Sequence, residues 1–228
     1  MKILAIGAHP DDIEIFMFGL LMLCKQRGDE VNCIIATDGS QGGKGIKDLK
    51  SKRYAETKKA LDILCKPKLL NFPDGKLGLD TNHYNILYKN IKKINPNLII
   101  THYRKDYHSD HKSLSKLVEY CAGHYIPVLF CDTMMGIKFE PDYYVDITKV
   151  FKQKLDAISN HTTQDPKRFS NLIEMMNSFR AAQCNAPLGH YAEGYKFKKS
   201  FPFSDIRSYL PPSLKILPFN INDQKGFL

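Results

Sequence analysis

His9, Asp11 and Asp12 share a single turn in the stretch Ala8-His9-Pro10-Asp11-Asp12-Ile13-Glu14, directly after the apolar run Ile3 to Ala8. Adjacent carboxylates beside an imidazole repel each other and resist ionisation unless a cation or strong hydrogen-bond donors sit among them. A divalent metal is the simplest such cation. A second cluster, Asp106-Tyr107-His108-Ser109-Asp110-His111, follows another apolar run, Leu98 to Thr101, and the two clusters together carry the donor types of a zinc site. Pro10 disfavours helical backbone at His9, so His9 and Asp12 can face one hollow while Asp11 takes another direction. With His111 as third ligand, one coordination position is left to water, the arrangement of a catalytic site. Asp11 then suffices as general base. His108 is suited to stabilise an oxyanion or protonate a leaving nitrogen, and Asp110 to orient a histidine. A simpler use of Asp11 and Asp12 is to cap the helix beginning near Ile13. His9 in the same turn, with the second cluster at another strand end, favours the metal site.

Strand-like runs lie at Lys2 to Ala8, Val31 to Thr37, Lys68 to Phe72, Leu98 to His102, Val128 to Cys131 and Tyr143 to Ile147, each short and apolar or β-branched. Helical patterns fill the intervals: Glu14 to Arg27, stopped by Gly28; Ser51 to Cys65; Tyr84 to Ile94; Asp110 to Cys121; Lys149 to Asn160; and Lys167 to Gln183. This alternation implies a single α/β domain, Rossmann-like, with a mostly parallel sheet covered by helices on both faces. Ligands of such sheets gather at the carboxyl ends of the strands, where both clusters fall. From Lys196 onward the pattern weakens, and Pro202, Pro211, Pro212 and Pro218 suggest an irregular tail laid over the domain.

A chain of 228 residues suits one α/β domain better than two. The net charge of +9 is scattered over solvated helix faces without a nucleic-acid motif, so nucleic acid is not an expected partner; the same field would attract an anionic small substrate. The six cysteines form no C-x-x-C pair, which favours buried free thiols in a reducing compartment. The longest apolar stretch, Ile15 to Cys24, is too short for a membrane span. Asp11 and Asp12 arrive before a signal-peptide core could finish, and a cytoplasmic location is expected. The segment Gly39 to Gly45 fails the Walker pattern and no G-x-G-x-x-G follows the first strand, which disfavours a nucleotide cofactor and leaves a glycine-rich loop at the rim of the site. His102 ends a strand beside the same hollow and is expected to pack or support rather than ligate. His161, near a helix end, has either a local capping role or a role in the site.

The sequence resembles the PIG-L/LmbE-like zinc-dependent N-deacetylases. Ala8-His9-Pro10-Asp11-Asp12 with Glu14 looks like the first metal box of that family and His108-Ser109-Asp110-His111 like the second. Thr37-Asp38-Gly39, Arg53 with Glu56, Asp146-Ile147-Thr148, His161 with Gln164, Arg180 and Tyr191-Ala192-Glu193-Gly194-Tyr195 have counterparts in order. Ser109 stands where the family usually has proline, and Phe18 interrupts a helix that often carries paired small residues. The likeness spans residues 1–197 and leaves 198–228 as the tail. It implies His9, Asp12 and His111 as ligands of one Zn2+, Asp11 as general base, and His108 as acid or oxyanion-stabilising group with Asp110 as its orienting partner. Arg53 and Tyr191 would lie near the substrate. The implied reaction is hydrolysis of the acetamido group of an N-acetylglucosamine-type sugar or conjugate to a free amine and acetate, by an enzyme that can be a homo-oligomer. The alternatives are a non-catalytic sugar or nucleotide-sugar binding module and a hydrolase of another N-acyl amide.

Overall fold

Strands that are apolar on both faces must be covered on both faces. In β1 (Lys2–Gly7), Ile3 and Ala5 enter one buried cluster and Leu4 and Ile6 another. These relations come from a computed structural model that describes residues 1–43, 45–78 and 80–215; Lys44 of the expected rim loop and residues 216–228 of the expected tail lie outside the described residues. Beside β1 run β2 (Glu30–Thr37), β3 (Lys68–Phe72), β4 (Leu98–Thr101), β5 (Val128–Cys131), β6 (Tyr143–Asp146) and β7 (Ala192–Phe197), in the spatial order β3-β2-β1-β4-β5-β7-β6. The first five are parallel, whereas β7 runs antiparallel to both β5 and β6. The first cluster is built by α1 (Asp12–Phe16), α2 (Phe18–Gln26), α3 (Leu49–Leu61), α6 (Phe151–Ser159) and α7 (Pro166–Gln183); α4 (Thr81–Ile94) and α5 (Ser109–Ala122) build the second.

The strand order reverses at β1, whose neighbours are β2 on one side and β4 on the other. Chains leaving β1 and β4 therefore diverge and open a crevice above the sheet. The crevice collects the His9–Asp12 turn and the segment His102 to His111.

Two features depart from the sequence reading. The helix expected as one piece from Glu14 is broken at Met17 (φ −132°, ψ −11°). The cause is distant: the Glu193 carboxylate accepts the N–H groups of Gly19 and Leu20 at 2.9 and 2.8 Å and caps α2 afresh. Gly19 is required there, since a Cβ would meet Ile147 Cγ2 at 2.4 Å. The second is β7 itself, which the sequence shows as no strand-like run, only as residues with family counterparts. Buried Glu193 and Gly194 hide its strand character, because the usual apolar signal is replaced by an ion pair between Glu193 and Lys154 of α6 at 2.7 Å. After β7, Phe203, Ile206, Tyr209 and Leu210 pack against the first cluster.

Candidate metal centre

Asp12 sits at the middle of the crevice and is almost wholly buried. Its Oδ2 accepts the backbone N–H of His9 at 2.6 Å, which closes the turn after β1. The same oxygen stands 3.3 Å from His9 Nδ1, and Oδ1 stands 3.3 Å from His111 Nε2. Ligands bound tetrahedrally at ~2.0–2.1 Å lie ~3.3 Å apart, so both spacings suit donors that share a metal. The outer nitrogens are also answered. His111 Nδ1 lies 3.0 Å from Asp106 Oδ2, and His9 Nε2 lies 3.2 Å from both Asp74 Oδ1 and Asp110 Oδ2. A carboxylate on the far nitrogen fixes the tautomer and strengthens an imidazole ligand.

Three overlapping sets have all donor atoms within 4.8 Å of one another: His9, His108 and His111; Asp12, His102 and His111; and His9, Asp74 and Asp110. The trio His9, Asp12 and His111 is not itself one of these sets; Asp12 meets His9 through Oδ2 and His111 through Oδ1. His102 belongs to one of these sets, yet its Nε2 also lies 3.1 Å from the backbone N–H of Ala8 and 3.0 Å from Asp12 Oδ2. Whether that nitrogen accepts the Ala8 N–H or donates its own proton to Asp12, it has no lone pair left for a cation, so His102 is suited to a supporting role. Its ring stacks on His111 with centroids 3.7 Å apart.

The charge balance calls for a cation. Burial alone would neutralise His9, but the Asp12 carboxylate, with the hydrogen bonds that Asp110, Asp12 and Asp74 accept from the ring, outweighs it and pushes this imidazole up to about 12. Burial likewise opposes charge on His111, and Asp12 with Asp106 raises it to about 9. Asp12 resists its own burial because His111, His102 and His9 hold it well below the usual carboxylate range. Two imidazoles that keep protons around a buried carboxylate are replaceable by one dication, and the residues present fit a metal of the zinc type.

Asp11 faces elsewhere. It occupies the position before α1 with φ 119° and makes no side-chain cap, so the capping use is not realised. Arg53 Nη2 lies 3.0 Å from Asp11 Oδ2 and Nη1 donates to the Gly39 carbonyl at 3.0 Å. Gly42 leaves room for this guanidinium, since a Cβ there would lie 2.0 Å from Nη1. Burial raises the Asp11 carboxyl and Arg53 lowers it; the balance is about 6. His108 precedes α5, and its Nδ1 accepts the backbone N–H of Asp110 at 3.2 Å. Burial and His111 lower this imidazole, so the neutral ring carries its proton on Nε2.

His9, Asp11, Asp12, Arg53, His108 and His111 all line one cavity of about 230 Å³. A larger cavity, about 820 Å³ between β6 and the segment after β7, contains none of these groups. The Asp110 carboxylate approaches His9 and the N–H groups of Gly75 and Leu77 instead of the His108 ring. Tyr191 is not among the lining residues: it stacks on Phe151 at 3.6 Å with its hydroxyl 3.2 Å from Glu174. His161 is bound by Nε2 to Glu14 Oε1 at 2.8 Å and caps no helix. Sequence reasoning gave no role to Asp74 or Asp106, although a carboxylate just beyond the end of β3 or β4 is the available signal.

Residues 4–122, just over half of the chain, match the family described as PIG-L, GlcNAc-PI de-N-acetylase. The chain belongs to the PIG-L family. Diacetylchitobiose deacetylase of Thermococcus kodakarensis is 27% identical over 220 residues, covering 86% of this chain and 82% of that protein. An uncharacterized deacetylase of Escherichia coli, YaiS, is 30% identical over 169 residues, 70% of this chain and 89% of its own length. Among solved structures, the 4-carboxy-2-hydroxymuconate hydratase GalB of Pseudomonas putida superposes with a TM-score of 0.78 at 19% identity, over 90% of this chain and 99% of that one. That likeness concerns the fold alone. In this PIG-L chain both histidine–carboxylate clusters lie inside the matched residues, and no described helix is long and apolar enough to cross a membrane.

Proposed function

We propose that this chain is a metal-dependent N-deacetylase that hydrolyses the acetamido group of an N-acetylglucosamine-type sugar or conjugate, releasing acetate and a free amine. One observation carries the reading: the two oxygens of Asp12 stand 3.3 Å from nitrogens of His9 and His111, beside an Asp11 carboxyl whose balance of burial and Arg53 leaves it at about 6. Family membership and the diacetylchitobiose deacetylase relative supply the substrate class.

His9, Asp12 and His111 would hold the cation, zinc by its donor types. The metal supplies Lewis acidity, which polarises the amide carbonyl and acidifies water. Arg53 engages Asp11 Oδ2, leaving Oδ1 to take the proton of the attacking water. A base with a pKa near the working pH combines readiness to accept with readiness to give. The neutral His108 ring presents Nε2–H to the carbonyl oxygen as negative charge develops. Asp11 then returns its proton to the departing nitrogen; the C–N bond breaks, and one water is consumed for each acetate formed. Asp110 and Asp74 hold His9, and Asp106 holds His111.

Residues 1–197 form the catalytic unit in this reading, with the following segment packed on it as a tail. The free state of all six cysteines supports a reducing, cytoplasmic setting. The test is acetate release from N-acetylglucosamine, diacetylchitobiose and simple glycosides by zinc-loaded protein. Stoichiometric acetate supports the reading. Sugar binding without acetate points to a binding module, and release only from non-sugar amides to a different acyl hydrolase.

A further inference from the structure

We infer that the sugar taken by this site carries an apolar aglycone, and that the aglycone lies on a shelf formed by Met135 and Ile137 of the loop after β5 and by Leu172, Met175 and Phe179 of α7. The inference rests on the deacetylase reading and extends it to the part of the substrate away from the amide. The cavity over the catalytic groups holds about 230 Å³, below the ~300–1,000 Å³ that enclose a drug-sized ligand. It has room for little beyond one sugar ring, so any substituent must pass over the rim.

Two of its walls, Met134 and Phe169, each begin an apolar series running outward. From Met134 the loop continues through Met135 and Ile137, which are 44% and 48% exposed. From Phe169 the series continues along α7 as Leu172, Met175 and Phe179, at the three- and four-residue spacing that keeps side chains on one flank of a helix. Met175 and Phe179 are 56% and 55% exposed. Arg180 joins the two series. It pairs with Asp132 through Nε and Nη2 at 2.6 and 3.0 Å, and a Cβ on Gly136 would lie 2.6 Å from its Nη2. The Phe179 ring sits 5.5 Å from the same guanidinium.

The loop is tied down. Thr133 Oγ1 donates to the Ile137 carbonyl at 2.7 Å, and Met135 is held at φ 55°, an unfavourable backbone for a residue with a side chain. Single exposed apolar side chains are ordinary in proteins, whereas a rimmed group of them marks a binding surface. The shared residues Met134 and Phe169 make this surface continuous with the reaction cavity, which favours a substrate substituent as the occupant. Methionines supply the adaptable contact such a group needs.

The test is a series of methyl, butyl and octyl β-glycosides of N-acetylglucosamine, below their micelle concentrations, with the zinc-loaded enzyme and with an Ile137→Asn/Phe179→Ser variant. Each methylene covered is worth about fourfold, so a shelf that covers about three of the methylenes added between methyl and octyl raises kcat/KM by roughly sixtyfold. In the variant the series flattens while methyl glycoside turnover is unchanged. A flat series in the unaltered enzyme, or an equal rise in the variant, overturns the inference. So does sedimentation as a dimer that the variant dissociates, combined with a flat series, because the shelf is then covered by a second copy. If no glycoside is deacetylated, the deacetylase reading itself fails. Calorimetric binding of the octyl and methyl glycosides then decides the shelf: tighter octyl binding lost in the variant supports it, and equal binding overturns it.

Discussion

Arg53 Nη2 lies 3.0 Å from Oδ2 of Asp11, and this pair holds a carboxylate whose backbone is in the left-handed region at φ 119°. The guanidinium both fixes the turn and lowers a carboxyl that burial raises. Arg53→Ala removes the opposing charge, so the Asp11 pKa moves up. A base works only when deprotonated, so its contribution is lost as pH falls through that pKa. The acid limb of kcat/KM therefore shifts to higher pH in the variant, with a larger loss at pH 6 than at pH 8. A bound cation lowers the limb in both proteins without changing the order. Unaltered limbs would remove Arg53 from this role.

Asp11 and His9 divide the labour. Asp11→Asn keeps the metal and loses about 10²–10⁴-fold in turnover, the usual worth of a general base. His9→Ala loses both metal and turnover. Metal analysis beside single-turnover acetate assays separates the two, and equal metal loss would contradict the division.

Metal loading releases protons. With His9 raised to about 12 and His111 to about 9, both imidazoles of the metal-free protein are charged at neutral pH, whereas ligation needs neutral nitrogens. Calorimetric titration with zinc at pH 7.5, in buffers of different ionisation enthalpy and corrected for zinc–buffer and zinc–hydroxide equilibria, should give about two protons released per site. The number falls toward one above pH 9, as His111 loses its proton unaided. Release near zero at pH 7.5 would show that Asp12 does not hold the imidazoles charged.

Lys154 and Glu193 support the site from behind. Lys154 is fully buried, 2.7 Å from Glu193, and the same carboxylate caps α2. Lys154→Ala leaves that charge buried without its partner and should cost about 3–5 kcal/mol, read by urea denaturation of the metal-free protein. A loss below about 1 kcal/mol would mean that the Gly19 and Leu20 N–H groups, with the Tyr195 hydroxyl that donates to Glu193 Oε2 at 2.6 Å, suffice.

The parallel half of the fold and the meeting of the two histidine–carboxylate clusters in one crevice were legible because each rests on local signals: apolar runs of strand length, and histidines with carboxylates immediately beyond them. The break at Met17 was hidden because its cause, Glu193, is far along the chain. β7 was hidden by the same ion pair, which places charge where a strand usually shows apolar residues. The grip of Asp74 and Asp110 on His9 needs the loop after β3 folded against the first turn of α5, a proximity that spacing does not encode. Tyr191, inferred from resemblance, packs on Phe151 beyond the cavity lining.

Anomalous diffraction from a zinc-soaked crystal tests the central claim most directly. One peak is expected between His9 Nδ1, an Asp12 oxygen and His111 Nε2, at ~2.0–2.2 Å from each. A peak among His9 Nε2, Asp74 and Asp110, or none in the crevice, would contradict it.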